Sequence, residues 1–535
     1  MADGKANFNA LRNMNPHPAL QQLAGEPAWN LDITVKDKLS KVTLSSNLLG
    51  LQSDLPVPLA KQAETTIPFR LEMKDMSQEQ TAVAVQYGSQ LNANLIGVRD
   101  EEGAWSIKRG IVNFGNVPQK ADRNGLWVIG TLPQLSLDGW AELAGANTQG
   151  AGISIAGADL VVQKVTGYGN QINDLHIKVN SRQSVLYAQL ASKELNGELS
   201  WQPGDTESAD YADHGGRLQA RLKNIDLAMG ERDAGKKEAG INSQSAANAQ
   251  AEKQNIGSVE LPALDVRIDK LNIKGRALGK LELVAQQNKD GYQLERLRLS
   301  NPDGVLTADG SWKMSEDTPQ TQVKLKLDIS NAGNILARSG FPNSVRNGSG
   351  KLEGIFNWPG TPAMFSKVNL NGSLSLDTGK GQFMQIDPGI GKLLSILSLQ
   401  ALPKRITLDF EDVFSKGFEF DSINGSAEIK QGVIVTDNLK IEGSAAKVGM
   451  KGQMDLVNET QSLRIRIVPT VGNSAALISA LVATPVIGAG VFLASKILDD
   501  PLGQLAAFEY NVTGSWIDPE VGKVGESKPV KSSEK

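Results

Sequence analysis

Along most of this chain apolar and polar residues alternate one by one, the period of a half-buried β-strand. Val323, Leu325, Leu327 and Ile329 alternate with Lys324, Lys326 and Asp328. Val368, Leu370, Gly372, Leu374 and Leu376 repeat the pattern, and Ile406, Leu408 and Phe410, then Phe418 and Phe420, extend it. Near the start, Leu31, Ile33 and Val35, then Val42 and Leu44, then Val83, Val85 and Tyr87 behave in the same way, and strands are expected to continue from Ile153 to Leu227. In the stretch from Leu261, the alternation of Leu264, Val266 and Ile268 slips at Asp269-Lys270 before Leu271 and Ile273. A one-residue slip turns every later side chain to the other face, so a bulge or turn is expected there. Asn124-Gly125, Asp290-Gly291, Asp303-Gly304 and Asp309-Gly310 read as hairpin turns, while Pro56 and Pro58 stop a strand and release a loop.

Helical spacing is confined to short pieces. One candidate follows Pro18, and another begins at Asp138-Gly139-Trp140, with Trp140 as a packing anchor. A third runs over 390–402, where Ile390, Leu393, Leu394 and Leu397 follow Pro388-Gly389. The fourth is the apolar run AALISALVATPVIGAGVFLASKIL, 475–498, inside a stretch with no charge between Arg466 and Lys496. A helix of that length reaches across a bilayer core of about 30 Å, but Pro485, Gly488 and Gly490 interrupt it and strands flank it. Two short helices that cap a groove, or that touch a membrane leaflet through Leu477, Ile478, Leu481, Val482, Val486, Ile487, Val491, Phe492 and Leu493, are both open readings. A Gly just before a Trp recurs at Gly197–Trp201, Gly310–Trp312, Gly354–Trp358 and Gly514–Trp516, which suggests one supersecondary unit reused at irregular intervals.

Length and composition narrow the function. A chain of 535 residues exceeds one compact core, so several domains or a repeating array is expected. It has no cysteine, which excludes disulfides, thiolate metal sites and cysteine nucleophiles. Only three histidines occur, His17, His176 and His214, far apart and read as surface residues rather than a metal site. Net charge is −4 with both signs interspersed, so no nucleic-acid partner is expected. Catalytic motifs fail: Asn347-Gly348-Ser349-Gly350-Lys351 lacks the glycine and the Ser/Thr of a phosphate loop, and Gly389-Ile390-Gly391-Lys392 lacks the third glycine of a dinucleotide fingerprint. Asp377, Asp387, Asp409 and Asp412 are the one acidic cluster, read as solvated surface. No enzyme, metal or cofactor is expected.

Several phrases carry a family likeness. The run GKGQFMQIDPGIGKLLSILSLQALPKRITLDFEDVFSKGFEFDSINGS, the following GVIVTDNLKIEGSAAKVGMKGQMDL, the earlier KVTLSSNLLGLQSDLPVPLAKQAETTIPFRLEM and the sentence around GLWVIGTLPQLSLDGW resemble the YhdP family of AsmA-like, TamB-related envelope proteins. The resemblance implies a periplasmic β-groove in a Gram-negative cell that carries phospholipid between inner and outer membranes, with the C-terminal end toward the outer membrane. It also implies an inner-membrane anchor upstream. The opening MADGKANFNALRNMNPH has no signal peptide, so the chain is read as a C-terminal fragment.

The expected fold is therefore mainly β: an elongated, open, U-shaped groove of repeated antiparallel strands with short helices at its C-terminal end. The expected divisions are a polar lead-in (1–27), a β-groove segment (28–227), a disordered linker (228–257), an AsmA-like β-groove (258–517) and a disordered tail (518–535). The groove floor is expected at Val323, Leu325, Leu327, Ile329, Leu374, Leu376, Ile406, Leu408, Phe410, Phe418 and Phe420. Acyl chains would cover this floor, and no single residue would be indispensable. The alternative is a scaffold that docks other β-proteins through its sheet edges.

Overall fold

The computed structural model describes residues 1–14, 18–36, 39–77, 79–99, 105–115, 120–145, 155–205, 208, 210, 213–228, 261–313, 319–384, 417–470 and 507–524. The fold is mainly β, and the strands form open sheets rather than a closed barrel. The chain divides into two units, Met1–Glu207 with Gly215–Gln254 and Leu264–Ala277, and Ser208–His214 with Asn255–Ala263 and Leu278–Lys535.

In the first unit Ala2–Lys5 pairs with Ala28–Lys36, so the lead-in joins the sheet. The sheet then meanders antiparallel through Leu39–Ser46, Phe69–Asp75, Gln80–Tyr87, Leu91–Arg99 and Trp105–Phe114. At Gly125–Leu132 the pattern breaks. This strand lies parallel to Trp105–Phe114 on one side and to Ile155–Gly167 on the other. Asn124-Gly125 is thus no hairpin: a two-residue turn joins only antiparallel strands, and a parallel pair needs a longer crossover. Helix Leu137–Gly145 supplies the second crossover. It is pinned by Trp140, whose indole N–H donates to the Val57 carbonyl (3.0 Å) in the loop released by the prolines, and by Asp138, which accepts from the Tyr168 amide. Asn170–Arg182, Val185–Ala191, Leu195–Gln202 and Arg217–Leu227 resume the antiparallel meander. The phase slip sits inside a continuous strand, Ala263–Ile273, where Asp269 and Lys270 are both exposed between buried Ile268 and Leu271.

In the second unit the main sheet runs antiparallel in chain order. Its strands are Arg276–Asn288, Gly291–Asn301, Gly304–Lys313, Gln320–Ile329, Gly350–Pro359, Asn371–Thr378, Ser422–Lys430, Val433–Glu442, Ala446–Asp455, Thr460–Pro469, Phe508–Ser515 and Pro519–Lys523. Two-residue loops at Lys289-Asp290 and Pro302-Asp303 close the first hairpins, as the Asp-Gly pairs suggested. Asp309-Gly310 is different: it lies within Gly304–Lys313, opposite an irregularity between Leu294 and Leu297. A Cβ on Gly310 would stand 2.4 Å from the Gln322 carbonyl oxygen, so the glycine serves close backbone approach, not a turn. The last strand, Pro519–Lys523, carries regular structure past Ile517.

A small three-stranded sheet completes this unit: Val345–Asn347, Gly381–Phe383 and Phe418–Phe420. Each piece prolongs a main strand at the same end, namely Gly350–Pro359, Asn371–Thr378 and Ser422–Lys430. The chain bends between them at Asn347 and Gly348, which have positive φ, at Gly379-Lys380 and at Asp421. The small sheet is therefore a flap of the main sheet turned back on itself.

Candidate functional site

Residues directly opposite each other on paired strands share a face. Register therefore shows which side chains form one surface. Leu325 stands opposite Ala308 and Gly354, and Gly354 opposite Leu374, which faces Ala427. Leu327 stands opposite Leu306 and Leu352, and Leu352 opposite Leu376. Val323 faces Phe356, and Ile329 faces Gly350. The same row reaches back through Leu299 to Leu281 and through Leu297 to Leu283. It reaches forward from Ile423 to Ile441, Val448 and Ile467, while Met450, Ile465 and Tyr510 form a parallel row. One apolar face thus continues across the sheet, because the two-residue period is kept in phase by each hairpin.

The opposite face carries the charge. Lys324, Lys326, Asp309, Glu353 and Glu428 line a shallow concavity of about 920 Å³ there, with Ser373, Ser375 and Ser426 between them. The first unit is built in the same way: Leu31, Leu44, Leu71, Val85 and Ala93 stand in one row.

The apolar face is not covered evenly. Val323, Leu325, Leu327, Ile329, Leu374 and Leu376 are all partly exposed. Further along, Ile441 and Val448 are 0% exposed. The cause is the flap: Phe383, Phe418 and Phe420 pack with Ile441, Val448, Met450, Ile465 and Ile467 in one core cluster. The Phe383 and Phe420 rings meet at 4.9 Å.

Six of the sequence-predicted floor residues therefore share one accessible face. Phe418 and Phe420 do not join it: they are 2% and 4% exposed and cover the face instead of forming it. The alternation F-E-F does form a strand, but a three-residue strand does not reveal which sheet it joins. Ile406, Leu408 and Phe410, the helix over 390–402, and the whole run 475–498 with its candidates from Leu477 to Leu493 lie outside the described residues. So does nearly all of the linker, 229–257.

Polar chemistry is sparse. His176 pairs with Asp159 at 2.7 Å on the surface, and His214 Nε2 lies 2.9 Å from the Ser208 carbonyl oxygen. Asp303 is buried and accepts from Asn334 Nδ2 and Arg338 Nε, both at 2.8 Å. The Asn334 hydrogen bond and the Arg338 guanidinium hold this carboxyl below the usual carboxylate range against the opposing effect of burial. These bonds anchor helix Ala332–Arg338, the segment that leads from the open floor to the flap. Lys61 is buried too: its ammonium donates to the Leu51 and Gln62 carbonyls, and desolvation lowers its pKa. Among the described residues no cluster of His, Asp or Glu could hold a metal ion, and no helix is long and apolar enough to cross a membrane.

The described strands thus place the chain among open, mainly β proteins with one in-register apolar face that is left partly exposed over part of its length. The chain belongs to the YhdP family, which matches residues 1–521. It is 24% identical over 527 residues to the protein described as intermembrane phospholipid transporter YhdP of Escherichia coli (strain K12), covering 95% of this chain. The chain spans 39% of that relative's length. No solved structure matches the chain.

Proposed function

We propose that this chain is a segment of a bridge-like carrier that moves phospholipid along its apolar face between the inner and outer membranes of a Gram-negative envelope, through the periplasm. The observation that carries this reading is the row of partly exposed side chains around Leu325, Leu327, Leu374 and Leu376 on one continuous face. Bare, such a surface is an aggregation hazard. Acyl tails laid across it remove it from water, while head groups stay hydrated beyond the strand ends. Apolar contact has no direction, so a tail slides from one row of leucines to the next without breaking specific bonds. Transport, not covalent chemistry, is the work this surface suits. The likeness to a phospholipid transporter favours lipid transfer over a scaffold that docks proteins at sheet edges. The divisions expected from the sequence, with the AsmA-like groove over 258–517 and a membrane contact or cap at 475–498, belong to the same proposal.

Site-specific photocrosslinking tests it. A photoreactive residue at Leu325 or Leu374 should yield phospholipid adducts when the chain is made in cells, whereas Lys324 and Ser373, on the opposite face, should yield none. Equal labelling of both faces, or adducts at neither, contradicts the proposal.

A further inference from the structure

One end of the main sheet in the second unit carries a second apolar surface that the floor does not explain. Here the loop after Gly350–Pro359 and the hairpins after Ser422–Lys430, Ala446–Asp455 and Phe508–Ser515 come together. Their tips present Met364, Phe365, Val368, Val457 and Ile517, with exposures from 44% at Val457 to 66% at Ile517. They are neighbours. A Cβ on Gly432 would touch both the Lys367 carbonyl oxygen and Val457. Lys367 Nζ lies 3.9 Å from Glu459, and the Trp516 amide donates to the Glu459 carbonyl (2.9 Å), which places Ile517 on the same rim.

The rim is supported from beneath. Phe365 stands edge-on to Trp358 at 5.3 Å, and the Trp358 indole N–H donates to the Thr361 carbonyl. Trp358, Leu370 and Ile429 form a buried cluster against which Val323 and Phe356 pack. Val323 and Phe356 are the outermost row of the accessible floor, so this buried cluster joins the rim to the floor.

We infer that this rim docks on a phospholipid bilayer surface, with the five side chains entering the boundary between head groups and tails. Resting on the transport reading, it gives lipid a place to pass between a membrane and the floor. A bilayer fits better than a protein partner because the apolar side chains stand on three separate tips, 360–370, 456–459 and 516–518. A fluid surface receives such tips individually, whereas a folded partner needs a matching shape. Charges of both signs surround the tips, Lys367 and Lys430 against Glu459 and Asp518, so insertion rather than attraction to anionic lipid should dominate. Thr460–Pro469 runs away from this rim, so the rim lies at the strand ends opposite to those that lead into 471–506.

The experiment is flotation of the full chain with vesicles of phosphatidylethanolamine and phosphatidylglycerol, with phospholipid carried by the purified protein measured in parallel. The wild type should float, and 0.5 M salt should change this little. Phe365→Glu with Val457→Glu should lower the floated fraction at least tenfold while carried phospholipid stays unchanged. Val35→Glu, at a more exposed apolar position of the first unit, should float as the wild type does. A wild type that stays at the bottom with its rim intact overturns the inference and leaves the rim to a protein partner. So does a double variant that floats normally. A wild type that floats through the rim yet carries no lipid upholds docking and contradicts the transport reading instead.

Discussion

Two stretches of one apolar face in the second unit behave differently. Around Leu325 and Leu374 the side chains are partly exposed, while around Ile441 and Val448 the continuation of the same face is sealed by Phe383, Phe418 and Phe420. The strand pattern is the same in both, although the pairings of the sealed stretch carry irregularities at Asn424/Glu428 and Thr436/Leu439 that those of the open stretch lack. What differs is the cover: the flap packs over one stretch, whereas over the other the floor side chains are left partly exposed among the described residues, with Leu376 at the margin packed against the sealed cluster. A sheet that folds a flap over part of its apolar face, yet among the described residues leaves the neighbouring strands partly exposed, fits the lipid cover proposed above.

Substitutions can break this comparison, and the largest effect is expected at the flap. Phe420→Ala should cost about 3–5 kcal/mol in denaturant unfolding, because it empties a packed ring site. It should also raise the binding of a dye specific for exposed apolar surface. If the sealed stretch is merely crowded rather than covered, neither changes. Ile441→Ala, on the floor beneath, should cost about 2–5 kcal/mol by the same measurement.

The anchor between the two stretches gives a pH test. Asp303 has a lowered folded pKa, so its contribution is fully present above the ordinary carboxylate value of about 3.9 and is lost as pH falls through the lowered one. Asp303→Asn should therefore lower stability by about 1–3 kcal/mol at pH 7, since Arg338 and Asn334 lose a charged acceptor. The gap to the wild type should shrink below about pH 4, read as melting temperature against pH. A constant gap would place the effect elsewhere. The smallest effect is expected on the open floor. Leu325→Ala should cost about 1–2 kcal/mol, because the side chain is not fully removed from water in the protein alone. A cost as large as that of Ile441→Ala would mean that the open stretch is covered by the chain itself.

Much of this was legible in the sequence, and the losses have specific causes. The alternation from Val323 to Ile329 places four side chains on one face, as the register confirms. The slip at Asp269-Lys270 suggests a bulge or turn, whereas the strand Ala263–Ile273 runs through it without interruption, with both residues exposed. Asp309-Gly310 misled because the same dipeptide that closes a hairpin also fits a strand facing an irregular neighbour. Asn124-Gly125 misled because strand direction depends on the connection, not on the turn residues. The flap was invisible because Phe418 and Phe420 alternate as any floor residue would, and only the bend at Asp421 sends them over the face. The rim was missed because Met364 and Phe365 follow Pro359, Gly360 and Pro362 without any period, and because Val368, which alternates with Leu370 as a strand residue would, lies instead in the 3-10 turn Lys367–Asn369 before the strand Asn371–Thr378 begins.

The most direct test of the open stretch is mass spectrometry of organic extracts from the purified chain, beside a Leu325→Asp, Leu327→Asp variant shown to be folded. Several phospholipid molecules per wild-type chain are expected, with most of them lost in the variant. A folded, monomeric wild-type chain that carries no lipid would contradict this.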